Sequence, residues 1–283
     1  LGFAIDLARA ERVFGPDQIQ QHFKRPRRAP EAAQLQRHSL RVAQSGFPVE
    51  IGPFRSDGPV EIALWEFGAA SIEYQIPLDC TLSDLVPLSD QLWDHAELTG
   101  DARRRAKLLL EALGDAVDKP QLGERFEDYV AFELRLPPGT QVSTLWTDHA
   151  ATTASILRAE PGPLSEQEIT DALSKRSAYV PDEVVLVDWF AAMLVGDDMD
   201  DERLVLELSV TELLELRELD ERLDRGIDAA YALLSQKRGW LASLNTRDSE
   251  LAQISQLQAD AAVLFEGADN ALKLLGDQYL ARL

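Results

Sequence analysis

The stretch VVLVDWFAAMLVGDDMDDE (residues 184–202) contains the change of hydrophobic pattern that decides the fold. Its first part, Val184–Val195, is apolar at both alternating sets of positions, which predicts a strand buried on both faces. The polar residues Gly196–Glu202 that follow predict a turn. Beyond this turn, apolar residues recur every three or four positions, as in an amphipathic helix. We therefore expect a sheet domain that ends near residue 195, followed by a helical region.

The helical region begins with LVLELSVTELLELRELDERLD (residues 204–224), which contains no Gly or Pro. A corner is predicted at Gly239–Thr246, and a second apolar seam runs from Leu251 to Tyr279. Two long amphipathic helices joined by a short corner predict an antiparallel hairpin over residues 196–283. The first seam comprises Leu206, Val210, Leu213, Leu216, Leu219, Leu223, Ile227, Ala230 and Leu234. The acidic residues of this helix are predicted to face water: Glu207, Glu212, Glu215, Glu218 and Glu221.

The part of the chain before residue 184 shows β-type and helical patterns in alternation. Two β-rich runs on either side of Gly68 predict a hairpin over Val60–Ile76. The run RFEDYVAFELRLP (residues 125–137) alternates as a strand does, and we place it at the centre of the sheet. Ser165, with Glu168 three residues later, predicts the capped start of a helix that continues to Arg176.

These patterns together predict an α+β fold. We expect a mixed β-sheet domain with covering helices over residues 1–195 and a long helical hairpin over residues 196–283. Pro87 is expected to kink or break the helix that contains it. The remaining predicted strands are Gly2–Asp6, Leu40–Gln44 and Phe47–Ile51, and the remaining predicted helices are Thr81–His95, Asp101–Val117 and His149–Glu160.

The composition limits the classes of partner. The chain has 283 residues, of which 28 are basic and 49 acidic, so its formal net charge is −21. Such a surface repels phosphates, so nucleic acid is not an expected partner. The single cysteine, Cys80, excludes an internal disulfide framework and a cysteine-rich zinc site. The most apolar run, Val184–Val195, is shorter than the roughly 20 residues of a membrane span and contains Asp188.

The last seven residues, DQYLARL (residues 277–283), keep the helical pattern without a Gly, Asn or Pro stop signal. We expect the helix to continue into a further segment. A natural terminus that frays is the alternative.

Three stretches carry a resemblance to known proteins: EVVLVDWFAAMLVGDD (residues 183–198), LVLELSVTELLELRELDERLDRGIDAAY (residues 204–231) and DQYLAR (residues 277–282). They are similar to a group of bacterial proteins. More remotely, their order over Val60–Leu283 resembles the required-for-meiotic-nuclear-division family, also called the YagE-like domain. The resemblance implies an α+β region, long helices and a hydrophobic helix near the C-terminus. It also implies a membrane-anchored protein on the cytoplasmic side of the bacterial inner membrane, and it transfers no catalytic residue.

The acidic turn is the candidate metal site. Asp197, Asp198, Asp200 and Asp201 could supply the oxygen ligands that Mg²⁺ or Ca²⁺ prefers. The EF-hand order is missing, and a solvated turn with charges that suit the start of the next helix is the alternative. We expect no other cofactor.

Two Asp–His pairs, Asp94–His95 and Asp148–His149, could form part of a metal site or a proton relay. Adjacent side chains rarely point the same way, so coincidence is the alternative. Two basic patches, Lys24–Arg28 and Arg103–Lys107, could contact RNA or anionic lipid, or could be solvated faces.

Three functional hypotheses fit the sequence. The first is a non-enzymatic interaction or scaffold protein, the soluble part of a membrane-anchored oligomer, with the long helices used for self-association or for a protein partner. The second is the cytosolic ion-sensing domain of a CorA-like divalent-cation channel, in which the acidic turn senses the ion. The third is an enzyme that uses carboxylates and the two Asp–His pairs.

Overall fold

The structure, a computed structural model, describes residues 1–15, residue 19 and residues 39–236, and it confirms the α+β class. Eleven strands in these ranges are β1 Ala4–Ile5, β2 Ser39–Gln44, β3 Glu50–Ile51, β4 Phe54–Arg55, β5 Val60–Trp65, β6 Ala70–Glu73, β7 Val117–Asp118, β8 Val130–Leu134, β9 Arg176–Ser177, β10 Val184–Val187 and β11 Ala191–Val195. The α-helices in the same ranges are α1 Leu7–Glu11, α2 Leu85–Leu92, α3 Ala96–Leu113, α4 Thr144–Thr147, α5 Ala150–Arg158, α6 Glu166–Ala172 and α7 Asp200–Gln236.

A four-stranded sheet of order β8-β11-β10-β9 lies at the centre of the second half of the described chain. The predicted burial on both faces is confirmed for β10 and β11, because Leu186 and Met193 pack into one core while Val185 and Leu194 pack into another. The prediction of one continuous strand is wrong. The chain turns back between Val187 and Ala191, and β10 and β11 pair antiparallel.

The predicted strand at residues 125–137 forms β8, but it lies at the edge of this sheet and not at its centre. It pairs parallel with β11, so the sheet is mixed. Only Phe132 of its five residues is buried, whereas all five residues of β11 are buried. One-sided burial of this kind suits an edge position, where one long side of the strand has no neighbour.

A second, three-stranded antiparallel sheet has the order β2-β5-β6. The predicted hairpin around Gly68 is confirmed as β5 and β6, and Gly68 adopts a positive φ of 92° in the turn. Ile62 and Leu64 of β5 pack with Leu109 of α3 in a separate core. We call this part of the molecule the three-stranded lobe, and the part built around β8–β11, α2 and α4–α6 the four-stranded lobe.

Several helix boundaries differ from the prediction. The helix predicted over Ser165–Arg176 ends at Ala172, and Arg176 begins β9. α3 begins at Ala96 and not at Asp101, since the His95 side chain caps it by accepting a hydrogen bond from the Leu98 N–H. Pro87 neither kinks nor breaks α2, because it lies in the first turn, where its missing N–H has no helical partner to lose. The Ser165 cap is confirmed by its hydrogen bond from the Glu168 N–H.

α7 continues as a helix over 37 residues, from Asp200 to Gln236. The apolar residues near its start are buried, with Val205 and Leu208 at 1% and 3% exposure. Leu206 packs on Val185 and Leu194 of the four-stranded lobe. The predicted corner at Gly239–Thr246, the second long helix and the basic patch Lys24–Arg28 lie outside the described residues.

Candidate functional site

A groove of about 1390 Å³ runs between the two lobes and α7. Its walls come from β6, from α3, from residues 121–133 and from the face of α7 that is directed toward the lobes. Large grooves at the junction of two packed units are the commonest places for a ligand or a partner segment. The apolar residues that line it include Ile72, Ile76, Leu88, Leu92, Leu98, Val130, Phe132, Leu206, Val210 and Leu214.

Arg203 joins the two lobes at one wall of this groove. Its guanidinium lies 2.8 Å from the Glu73 carboxylate on β6 and 3.3 Å from the Glu133 carboxylate on β8. The carboxylate of Asp200, one turn earlier on α7, lies 3.3 Å from the same guanidinium. Burial raises the pKa of Glu133, although the charge of Arg203 opposes the rise. One cation therefore holds carboxylates from both sheets at the start of α7.

Glu207, one turn further along α7, is the most enclosed charge of the groove wall. Its carboxylate accepts hydrogen bonds from the Arg41 guanidinium of β2 and from the Ser71 hydroxyl of β6. Its side chain is 13% exposed and that of Arg41 is 14% exposed. The prediction that Glu207 faces water is therefore wrong, because Arg41 and Ser71 of the three-stranded lobe enclose it.

The three-stranded lobe holds α3 through a second buried cluster. The Asp101 carboxylate accepts from the Tyr74 hydroxyl at 2.6 Å and from the Arg105 Nε at 2.5 Å. Arg105 also donates to the Gln44 side chain at 2.7 Å. A Cβ at Gly46 would clash with the Arg105 guanidinium, so a larger residue there would displace this side chain. Arg105, predicted within a solvated or ligand-binding basic patch, is instead buried at 7% exposure.

The predicted metal ligands border a second cavity. This cavity has a volume of about 910 Å³, and Asp197, Asp198 and Asp200 line it together with Cys80 and His149. Within residues 1–15, 19 and 39–236, no group of three or more His, Cys, Asp or Glu side chains is arranged to hold a metal ion. The assignment of Mg²⁺ or Ca²⁺ to Asp197, Asp198, Asp200 and Asp201 stays a prediction.

The two Asp–His pairs do not share a cavity. His95 lines the large groove, where it also caps α3, and His149 lines the second cavity. Asp94 has a positive φ of 53°, which L-residues other than Asn and Asp rarely adopt. The structure therefore does not bring the two pairs together into one site.

Glu212 is a half-buried acid on α7 whose Oε1 atom has no hydrogen-bond partner in the described part of the chain. Burial raises the pKa of its carboxyl from 4.5 to about 7. The folded state thus binds this proton more tightly than the unfolded state does. The stability that this group contributes is fully present below about pH 4.5, and it is lost as the pH rises through 7.

The Glu212→Gln variant tests this charge. Because glutamine stays neutral, we expect it to raise the free energy of unfolding at pH 8 by about 2 kcal/mol, a value already reduced for partial solvent exposure. At pH 4.5 the variant and the parent should have similar stability. Thermal unfolding between pH 4 and pH 9 measures the difference, and Glu221→Gln on an exposed face of α7 serves as the control. A difference in stability between the variant and the parent that does not change with pH would contradict the burial of the Glu212 carboxyl.

No helix within the described ranges is long and apolar enough to cross a membrane. Membrane anchoring and a position at the inner membrane therefore stay predictions from the sequence.

Comparison with known proteins assigns the chain to a family. Residues 1–202 match the family described as "Uncharacterized protein MJ0711, N-terminal domain". No curated protein and no solved structure matched the chain. The suggested kinship with the required-for-meiotic-nuclear-division family is wrong, since the family found is a different one. The matched segment covers more than half of the sequence and reaches into the first turn of α7, so the chain belongs to the MJ0711 N-terminal domain family.

Proposed function

We propose that the protein is a non-enzymatic interaction protein that uses α7 as an arm for self-assembly. The observation that carries the proposal is the exposure of Leu213 and Leu216, at 41% and 48%, on a helix whose first apolar residues are buried. These two leucines lie three residues apart and therefore on one side of the helix.

The exposed leucines also belong to a heptad series, which we call the seam of α7. It has Ser209 and Asp220 where the apolar seam of the sequence has Val210 and Leu219. From Glu202, steps of four and three residues alternate along the helix without interruption. This spacing is that of coiled-coil core positions. The positions are Glu202, Leu206, Ser209, Leu213, Leu216, Asp220, Leu223, Ile227, Ala230 and Leu234.

The seam changes from covered to uncovered along α7. Glu202 and Leu206 are buried against the body at 1% and 6% exposure. Ser209 is exposed, as are the two leucines that follow it. The body thus covers the start of the helix and leaves Ser209, Leu213 and Leu216 uncovered for a second helix. Asp220, at a core position, lowers the stability of such a pair but restricts its register.

Because the chain is acidic, the direction in which salt changes the binding affinity identifies the partner. Two copies with a net charge of −21 repel each other, so added salt should strengthen self-association by screening. Binding to a basic partner would instead weaken in salt. The salt dependence therefore separates a second copy from a basic protein.

Sedimentation of the whole chain with a Leu216→Glu variant tests the proposal. We expect the parent to dimerise reversibly, more tightly at 0.5 M than at 0.05 M NaCl, and the variant to dimerise at least about tenfold more weakly. Leu108→Glu on α3 is the matched control, because Leu108 is also an exposed leucine, at 53%. A parent chain that is monomeric at every concentration and salt level would overturn the proposal.

A further inference from the structure

Two tryptophans form an exposed aromatic patch on the four-stranded lobe. Trp93 and Trp189 are 48% and 61% exposed, and their ring centroids lie 5.0 Å apart at an interplanar angle of 79°. Phe190, which is buried in the core, packs against Trp93, and the centroids of the two rings lie 5.1 Å apart. We call Trp93 and Trp189 the tryptophan patch.

The patch is held in a fixed shape. Trp189 lies in the turn between β10 and β11. Its backbone N–H donates to the Asp188 carboxylate at 2.9 Å. The same carboxylate accepts from the Arg158 Nε at 2.8 Å, and the Asp188 carbonyl accepts from the Tyr129 hydroxyl at 2.9 Å. A preorganised aromatic pair loses little conformational entropy on binding, which is the property of interface hot spots.

Other aromatic rings of this protein make cation–π contacts with basic side chains of the same chain. Lys119 lies over Phe3 at 4.1 Å, Arg103 over Phe126 at 4.7 Å and Arg176 over Trp146 at 4.8 Å. Among the described residues, no cation of the chain lies over either ring of the tryptophan patch. Within the part of the chain that the structure describes, the patch therefore offers two aromatic faces without the cation that such faces attract.

Two exposed carboxylates lie close to Trp93 in the sequence. Asp94 follows Trp93 directly, and Asp90 lies one turn earlier on α2; both are exposed. Neither carboxylate pairs with a basic side chain of the described chain. Aromatic faces and a nearby exposed carboxylate together would match a guanidinium, which stacks on rings and donates two parallel hydrogen bonds to a carboxylate.

We propose that the tryptophan patch is a docking surface for an arginine side chain presented by another protein. The planar guanidinium stacks on Trp189 or Trp93 and pairs with Asp94. An ammonium fits less well, because it is more strongly hydrated and cannot stack. This surface is separate from the seam of α7, and the proposal stands whether or not the chain dimerises.

Titration of the whole chain with the peptide Ac-Gly-Gly-Arg-Gly-Gly-NH₂ in 0.15 M NaCl tests the proposal. The readout is the indole N–H resonances in a nitrogen–proton correlation spectrum, with Trp93 and Trp189 identified by phenylalanine substitution. We expect saturable shifts of these two resonances at millimolar peptide. Peptides with lysine or citrulline in place of arginine should bind at least about fivefold more weakly.

Three variants complete the test. Trp189→Ala should lose binding at least about fivefold, and Asp94→Asn, which keeps both rings, should weaken it about threefold. Phe47→Ala, which removes an aromatic ring that is 93% exposed, should leave binding unchanged. Equal binding of the lysine peptide, or undiminished binding by Asp94→Asn, would overturn the proposal. A response to phosphatidylcholine vesicles without a response to the arginine peptide would overturn it too, and would assign the patch to a membrane surface.

Discussion

Replacing Asp101 with alanine is expected to lower the free energy of unfolding by about 4 kcal/mol. Asp101 and Arg105 are 8% and 7% exposed, so the substitution leaves the Arg105 guanidinium buried without its carboxylate. The Tyr74 hydroxyl, which donates to the same carboxylate, also loses its acceptor. Breaking a buried ion pair costs more than the pair contributes, because the remaining charge cannot reach water. Urea unfolding followed by circular dichroism measures the change.

A double substitution separates the cost of leaving the Arg105 charge unpaired from the cost of losing packing contacts. In Asp101→Leu/Arg105→Met neither charge remains, and we expect most of the lost stability to return. A single-variant loss below about 1 kcal/mol would mean that Arg105 moves into water when Asp101 is removed. The double variant would then show no recovery.

The same pair gives a dependence on pH. Although burial alone would raise it, hydrogen bonds from Tyr74 and Arg105 and the arginine charges lower the pKa of Asp101 below its ordinary value. A lowered folded-state pKa means stabilisation that is fully present above about pH 4 and is lost as the pH falls further. The stability gap between the parent and Asp101→Ala should therefore narrow only in strong acid.

The second large effect is expected from Glu207→Ala, which should reduce stability by about 3 kcal/mol. The substitution leaves Arg41, whose side chain is 14% exposed, with Glu61 at 3.9 Å as its remaining carboxylate. It also removes the acceptor of Ser71, which itself accepts from the Trp65 indole at 3.4 Å. Because Glu207 fastens α7 to the three-stranded lobe, the first turns of α7 should also exchange amide hydrogens faster.

Glu221→Ala is the matched control on the same helix. Glu221 pairs with Arg125 at 2.5 Å, but both side chains are exposed, at 41% and 50%. Exposed pairs are screened by water and salt, so we expect no measurable change in stability or in hydrogen exchange. An equal loss for both variants would show that the burial of the Glu207–Arg41 pair does not decide the result.

The sequence predicts local patterns well in this chain and long-range pairings poorly. The hairpin at Gly68 and the Ser165 cap follow from residues a few positions apart, and the structure confirms both. The turn at Asp188 was missed because Trp189 and Phe190 continue the apolar run and no Gly or Pro marks it. The edge position of β8 depends on its pairing with β11, about 60 residues later, which no local pattern reports.

The same distinction applies to the charged residues of the groove and of the second cavity. The acidic turn was found from sequence because its members are neighbours, and Asp197, Asp198 and Asp200 do lie at one cavity. Glu207 was missed because its partner Arg41 is 166 residues away in the chain. One local signal could have found it: Glu207 lies between Leu206 and Leu208, inside an apolar run where a charge needs a partner.

The position of Arg203 has a consequence for how this protein can be divided. The family match ends at residue 202, which would be a natural place to end a shortened expression clone. Such a clone would lack the cation that binds Glu73 and Glu133, and it would also lack Glu207, the acceptor of Arg41. Carboxylates of both sheets would then face each other uncompensated. A clone that ends beyond residue 208 keeps Arg203 and Glu207. We expect it to yield far more soluble protein after cell lysis.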